Sequence, residues 1–263
     1  MSHQKHLSRL QAHHISTGYH KHAVSEHLSI SIPEGKFTAI IGPNGCGKST
    51  LLHTLSRLQA PLEGELTLDN IPFTEYKSKQ FAQIVGLLPQ SNLTPEGVRV
   101  FDLVSRGRYP HQSFLNQWSQ DDQDAVELAL KLMHLEDIQY AYVHELSGGQ
   151  RQRVWIALLL SQKSDILFLD EPTTYLDIAH QLDVLNIFAN LKITAGKTVV
   201  AVLHDINQAC RFADHLVVMK QGQIVATGAP KTVVTTDLLK DVFAIKTQII
   251  SDPIFDTPLI VPF

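Results

Sequence analysis

Three short stretches carry residue types suited to chemistry on a polyphosphate. The first is Gly42-Pro43-Asn44-Gly45-Cys46-Gly47-Lys48-Ser49, followed by Thr50. It fits G-x-x-x-x-G-K-[ST] at every fixed position. Its glycines let the backbone bend until successive N–H groups point inward at phosphate oxygens. A helix starting near Lys48 adds the positive end of its dipole. Lys48 supplies a point charge for the outer phosphates, and the Ser49 hydroxyl suits Mg²⁺. A glycine-rich turn that binds nothing is the bland alternative. Cys46 reads as a small filler rather than a redox group, and a bound nucleotide is expected to shield it from thiol reagents.

The second stretch is Ile166-Leu167-Phe168-Leu169-Asp170-Glu171. Two carboxylates stand at the carboxyl end of a buried strand, where open α/β sheets bind ligands. Asp170 suits the Mg²⁺ shell, mostly through water, and Glu171 suits orienting and deprotonating an attacking water. The alternative is a helix start capped by Asp170. The third is Leu146-Ser147-Gly148-Gly149-Gln150. A hydroxyl and glycine N–H groups at the start of a helix over residues 150–160 would make a second anion site. Its alternative is an ordinary cap with a glycine-rich turn.

These residues need a scaffold. Residues 28–32 alternate as a half-buried strand and end at Pro33-Glu34-Gly35. Residues 37–41 form a short apolar run that reads as a buried strand feeding the glycine loop. From Ser49 onward Leu51, Leu52, Leu55 and Leu58 mark one helical face. Residues 64–69 alternate again. Residues 120–135 are helical, with Val126, Leu128, Leu130, Leu132 and Met133 as the apolar set. Residues 181–191 form an amphipathic helix, residues 198–203 a buried strand ending at His204, and residues 216–226 a hairpin. Short buried strands separated by helices predict an α/β fold with a parallel sheet, and the early alternating strands add an antiparallel piece. The expectation is one compact unit over residues 1–263 with a helical insertion at about residues 90–160.

Composition narrows the class. The chain has 263 residues, 44% hydrophobic and 18% charged, with 22 Lys+Arg against 26 Asp+Glu and a net charge of -4. That balance has no footprint for bulk nucleic-acid binding. Cys46 and Cys210 are the only cysteines, too few for a disulfide framework. Residues 1–11 are polar and His-rich without an apolar core, so no secretory signal is expected there. No apolar run approaches the roughly 20 residues that span a bilayer. The histidines His13, His14, His20 and His22 read as solvated rather than as a metal site, because adjacent strand residues point to opposite faces and no Cys or carboxylate completes a set.

The order of the three stretches resembles the ABC ATPases, a family of P-loop NTPases with a RecA-like core, an N-terminal antiparallel β subdomain and an inserted α-helical subdomain. The decisive stretch is Leu146-Ser147-Gly148-Gly149-Gln150, which resembles the family signature. That resemblance implies ATP and Mg²⁺ as cofactors. It implies head-to-tail dimerisation, in which Ser147 and Gly149 of one copy clasp the γ-phosphate held by residues 42–50 of the other. Gln90 resembles the glutamine that senses Mg²⁺ and contacts the transporter partner. The Mg²⁺ set it implies is Ser49, Gln90 and Asp170. Tyr175-Leu176-Asp177 resembles the D-loop that meets the other protomer. His204 resembles the switch histidine, with a satisfied core histidine as the alternative. Catalysis would fall to Glu171, His204 and Lys48. Tyr19 resembles the aromatic that stacks on adenine, against a half-exposed strand tyrosine.

Arg106-Gly107-Arg108-Tyr109-Pro110-His111 is similar to a stretch of the ABC ATPases serving ferric-siderophore, haem and cobalamin importers, with the catecholate, enterobactin-type group nearest. The functional reading docks Arg106 and Arg108 against a permease helix; the bland one is a solvated charged turn. The resemblance implies a homodimer, two integral-membrane permease subunits and, indirectly, a periplasmic substrate-binding protein. It places the chain at the cytoplasmic face of a bacterial inner membrane. Haem, cobalamin or another metal chelate is the alternative cargo. A soluble ABC ATPase of DNA repair or translation is a remoter reading, since one cassette is present and no heptads lie between Ser49 and Leu146. The signature and the Asp170-Glu171 pair argue against a P-loop kinase or GTPase.

Overall fold

A computed structural model describes residues 8–20, 22–90, 96–113, 118–174 and 176–263. Two compact units divide the chain, one of Met1–Glu75 and Leu191–Phe263, the other of Tyr76–Asn190. The first opens with β1 (Leu10–Tyr19), β2 (His22–Ile32), β3 (Phe37–Ile41), α1 (Lys48–Leu55), β4 (Glu63–Leu68) and β5 (Ile71–Pro72). The second holds α2 (Ser78–Ile84), β6 (Val85–Leu88), α3 (Val100–Ser105), α4 (Gln120–Leu132), α5 (Gly148–Ser161) and β7 (Ile166–Asp170). Helix α6 (Ile178–Ala195) carries the chain back to the first unit. There follow β8 (Thr198–Val202), α7 (Ile206–Phe212), β9 (His215–Lys220), β10 (Gln223–Gly228), α8 (Pro230–Val233), α9 (Thr236–Phe243), β11 (Thr247–Ser251) and β12 (Pro258–Pro262).

In the first unit β3 is flanked by two parallel strands, with Ile40 level with Val202 of β8 and with Val217 of β9. Every residue of β3 and β8 is buried, which is why both are predominantly apolar, with Thr38 and Thr198 as their polar residues. β9 turns back into β10 through Gln221 and Gly222, both at positive φ, as a two-residue hairpin turn requires. A separate antiparallel sheet runs β2-β1-β4-β5. β1 carries an irregularity at His14, which sits at φ +48 with a register shift between Ala12 and Ile15. His13 and His14 are therefore both exposed, not on opposite faces as plain alternation predicts.

Several helix boundaries differ from the sequence expectation for local reasons. α1 stops at Leu55 because Arg57 adopts φ +63, so Leu58 leaves the apolar stripe and is 59% exposed. α4 stops at Leu132 and His134 takes φ +52. Its inner face is Asp122, Ala125, Val126, Ala129 and Leu130, at helical spacing, whereas Leu128 faces solvent. α5 starts at Gly148, two residues before the expected Gln150, because Ser147 is its cap. Among the described residues no helix is long and apolar enough to cross a membrane.

Candidate nucleotide site

The first unit builds the glycine loop directly on the end of β3. Gly47, at φ +101, caps α1, and Lys48 is the first helical residue. Only glycine takes that conformation without strain, so the sharp entry into the helix follows from its presence. The Lys48 side chain is buried and its ammonium donates to the carbonyl oxygens of Gly42 and Pro43, each at 2.9 Å. The loop thus folds around its own cation. Asn44 and Gly45 lie exposed at its mouth, Pro43 and Ser49 are half-buried, and Thr50 is buried. The Thr50 carbonyl oxygen accepts a hydrogen bond from the Thr54 hydroxyl at 2.8 Å.

Cys46 is 5% exposed, and burial, opposed by Lys48, pushes its thiol above the ordinary range. It is a packed filler. The expected shielding by nucleotide gives way to a simpler finding: the fold itself already covers the sulfur.

His204 leaves β8 at the same edge as the loop leaves β3. The Leu203 N–H donates to the Ile40 carbonyl oxygen at 3.2 Å, so the next residue on each strand points the chain out of the sheet together. His204 is exposed. Asp205 behind it caps α7 by accepting from the Gln208 N–H at 3.0 Å, fixing where the strand ends. Tyr19 ends β1 opposite His22 and is 49% exposed, a large aromatic surface offered to solvent.

The second unit builds the acidic end. β6 and β7 run parallel with Leu88 level with Leu169, so Gln90 and the Asp170-Glu171 pair emerge at one end. Asp170 is fully buried at the last position of β7. Glu171 adopts φ +53, a costly conformation for a side chain of its size. It is half-buried, and its carboxylate accepts the Thr174 hydroxyl at 3.3 Å. Gln152, buried on α5, donates to the Pro172 carbonyl oxygen at 3.2 Å and so ties the signature helix to the segment after Glu171. That link is invisible in sequence, because nothing local marks Gln152 as different from its neighbours.

The signature residues form a capping box. The Ser147 hydroxyl accepts from the Gln150 N–H at 3.3 Å, and the Gln150 side chain accepts from the Ser147 N–H at 3.0 Å. Leu146 is buried and anchors the turn, while Ser147 and Gly148 are exposed and Gly149 and Gln150 half-buried. A side chain at Gly148 would meet nothing within 4 Å. Asp177 accepts from the His180 N–H at 2.9 Å and from its ring at 2.7 Å, and that backbone bond first, then the ring, holds its carboxyl below the usual range. Tyr175 lies outside the described residues.

Arg108 corrects both sequence readings of the Arg106–Arg108 cluster. It is 5% exposed, pairs with Asp122 at 2.7 Å and donates to the Ser161 carbonyl oxygen at 2.8 Å. It is neither solvated nor available to a partner. Arg106 and Tyr109 are what that segment presents to solvent.

A glycine loop closed on a buried lysine at the end of a parallel strand defines a nucleoside-triphosphatase of the P-loop α/β class. The sequence pattern of the ABC transporter family matches residues 25–174, and the chain belongs to that family as an ATP-binding ATPase. It is similar to the ferric enterobactin transport ATP-binding protein FepC of Escherichia coli (strain K12), 49% identical over 97% of this chain and 94% of that protein. Among solved structures, a transporter described as of the metal-chelate type, in an inward-facing conformation, is 26% identical with a TM-score of 0.81 over 97% of both chains. A dimeric bacterial ABC transporter cassette is 27% identical with a TM-score of 0.75, covering 84% of this chain and 98% of that one.

Proposed function

We propose that this chain is the motor subunit of an importer for ferric siderophores of the catecholate, enterobactin type. The observation that carries the cargo is the 49% identity to FepC, sustained over 97% of the chain rather than confined to the nucleotide motifs. The motor works as a homodimer on two integral-membrane permease subunits, served by a periplasmic substrate-binding protein, at the cytoplasmic face of a bacterial inner membrane. Net charge of -4 supports a protein rather than a nucleic-acid partner.

Residues 42–50 hold the triphosphate through backbone N–H groups and Lys48, with Tyr19 against the adenine. Ser49, Gln90 and Asp170 offer hydroxyl, amide and carboxylate oxygens, the donor set a hard divalent cation prefers, and a fully buried carboxylate such as Asp170 gains from a cation. Mg²⁺ bound there would neutralise charge developing on the phosphates. Glu171 orients water and takes its proton, and His204 holds the γ-phosphate end of the site.

The exposed Ser147-Gly148 turn supports the dimer. Gly148 is the first residue of α5, and among the described residues it has open space where a side chain would go. Nothing in the packing of the described residues requires glycine there, whereas a second copy's phosphate approaching the backbone would. Asp177 meets the other protomer at the same interface.

Reconstitution with candidate permeases in liposomes tests the cargo. Ferric catecholate, presented with its binding protein, is expected to stimulate ATP turnover. Stimulation by haem or cobalamin instead would reassign the cargo, and turnover that no chelate or permease alters would remove the importer reading.

A further inference from the structure

The glycine loop is gripped from below by chain that arrives far later in sequence. Gly222, in the turn between β9 and β10, donates its N–H to the Cys46 carbonyl oxygen at 3.1 Å. It stands at φ +77, and any side chain there would collide with the Val24 carbonyl oxygen of β2. The turn is therefore wedged between the loop and β2, and Gln223 adds a bond from its side chain to the Glu26 carbonyl oxygen at 3.4 Å.

Met219 and β2 complete the grip. The Met219 carbonyl oxygen occupies the space a side chain on Gly42 would need, and its methyl carbon lies 3.6 Å from where one on Gly47 would start. From β2, the Ser25 hydroxyl and a Val24 methyl stand 3.0 and 3.1 Å from that same Gly47 position. Ser25 is 2% exposed and its hydroxyl has no hydrogen-bond partner among the described residues, so it serves there as a spacer. Both ends of the loop, Gly42 and Gly47, and its middle, Cys46, thus rest on one platform.

We infer that Gly222, Met219 and Ser25 are positioning residues for ATP binding: they set the path of residues 42–47 before nucleotide arrives. A loop of this length left free would lose conformational entropy on binding. A preformed loop has met that cost in folding, so affinity depends on the platform. The inference rests on the reading of residues 42–50 as the triphosphate site.

Gly222→Ala pushes the turn off the loop, and Ser25→Val presses on Gly47 from β2 without touching the turn. Gly196→Ala is the control, because Gly196 has φ +62 and nothing within 4 Å of its side-chain position. It carries the same backbone strain in the same unit. Affinity for Mg-ATP is measured by calorimetry on the full chain, with melting temperature, KM and kcat. Gly222→Ala and Ser25→Val are expected to weaken Mg-ATP by about tenfold or more and raise KM correspondingly, with kcat at saturation changed far less. Gly196→Ala is expected to lower the melting temperature and leave affinity unchanged. Should Gly222→Ala fail to fold, Ser25→Val decides alone. Unchanged affinity in the folded variants, or equal weakening in the control, would overturn the inference. Wild-type protein that does not bind Mg-ATP would instead remove the triphosphate site.

Discussion

The Lys48 ammonium donates to the Gly42 carbonyl oxygen at 2.9 Å, closing the glycine loop upon the charge it presents. A cation held in place by carbonyl dipoles is a preorganised charge of the kind that favours an anion. Lys48→Met should remove both the charge and the loop's internal bonds. ATP turnover is expected to fall by about 10²–10³. Lys48→Arg should not restore it, because the planar guanidinium cannot take the place of a compact ammonium. Turnover in Lys48→Met within a few-fold of wild type would contradict this role.

Glu171 holds φ +53 at the end of β7, and strain of that kind persists where the surroundings enforce it. Replacing its carboxylate with an amide keeps the shape and removes the proposed base. Glu171→Gln should bind Mg-ATP, stall hydrolysis and accumulate a dimer in size-exclusion chromatography. A monomeric Glu171→Gln that still turns over ATP would sink both the base assignment and the shared site.

Gly148 offers a cleaner separation of fold from function. Its side-chain position is open, so Gly148→Ala should leave packing intact and raise the stability of the nucleotide-free chain, by up to about 0.5–1 kcal/mol. If the proposed dimer holds, the same change should depress ATP turnover, because it would put a methyl where the second copy approaches. Calorimetric melting and steady-state ATPase, run on one preparation, check both signs. Turnover equal to wild type would remove the argument for a partner at this turn.

What the sequence discloses depends on how local each cause is. The glycine loop, the Asp170-Glu171 strand end and the Ser147 turn are legible because each is a continuous run whose spacing carries the chemistry. β3, β7 and the β9–β10 hairpin are legible for the same reason. The inner face of α4 is harder to read, because Leu128 in the apolar set is exposed while the small Ala125 and Ala129 hold inward helical positions beside Val126 and Leu130. The burial of Arg108 is not legible, because its partners, Asp122 and the Ser161 carbonyl, stand on two other helices. Met219 and Gly222 carry no mark at all, since their effect on residues 42–47 exists only after β9 has paired with β3.

The Arg108–Asp122 pair is buried on both sides, so breaking one partner should be severe. Arg108→Met is expected to cost about 3–5 kcal/mol, whereas Arg108→Met with Asp122→Leu should recover most of that loss. Burial works to raise the Asp122 carboxyl, and its bonds to Arg108 and Ser119 overcome this and hold it below the usual range. With the folded value depressed, the stabilisation is present above the unfolded value, about 3.9, and is lost as pH falls through the folded value. Wild type should therefore lose stability on acidification below about pH 4, and Asp122→Asn should show a shallower loss. Parallel acid denaturation curves for the two would argue that the pair does not govern this region.

Both thiols should be inert in the folded chain, for reasons that differ. Cys210 is fully buried, and burial first, then Asp205, pushes its thiol up to about 12. Cys46 lies in the glycine loop beside Lys48, a cation that on its own would favour the thiolate. Burial outweighs it, and the sulfur sits against Gly42 beneath the loop backbone. Only thiolate attacks a disulfide reagent, so reactivity at neutral pH should be slow at both sites. The rate should not depend on Mg-ATP and should rise sharply on addition of denaturant. Fast labelling of Cys46 that Mg-ATP suppresses would mean the loop opens in solution far enough to expose its underside, and the platform of Met219, Ser25 and Gly222 would then not hold it fixed.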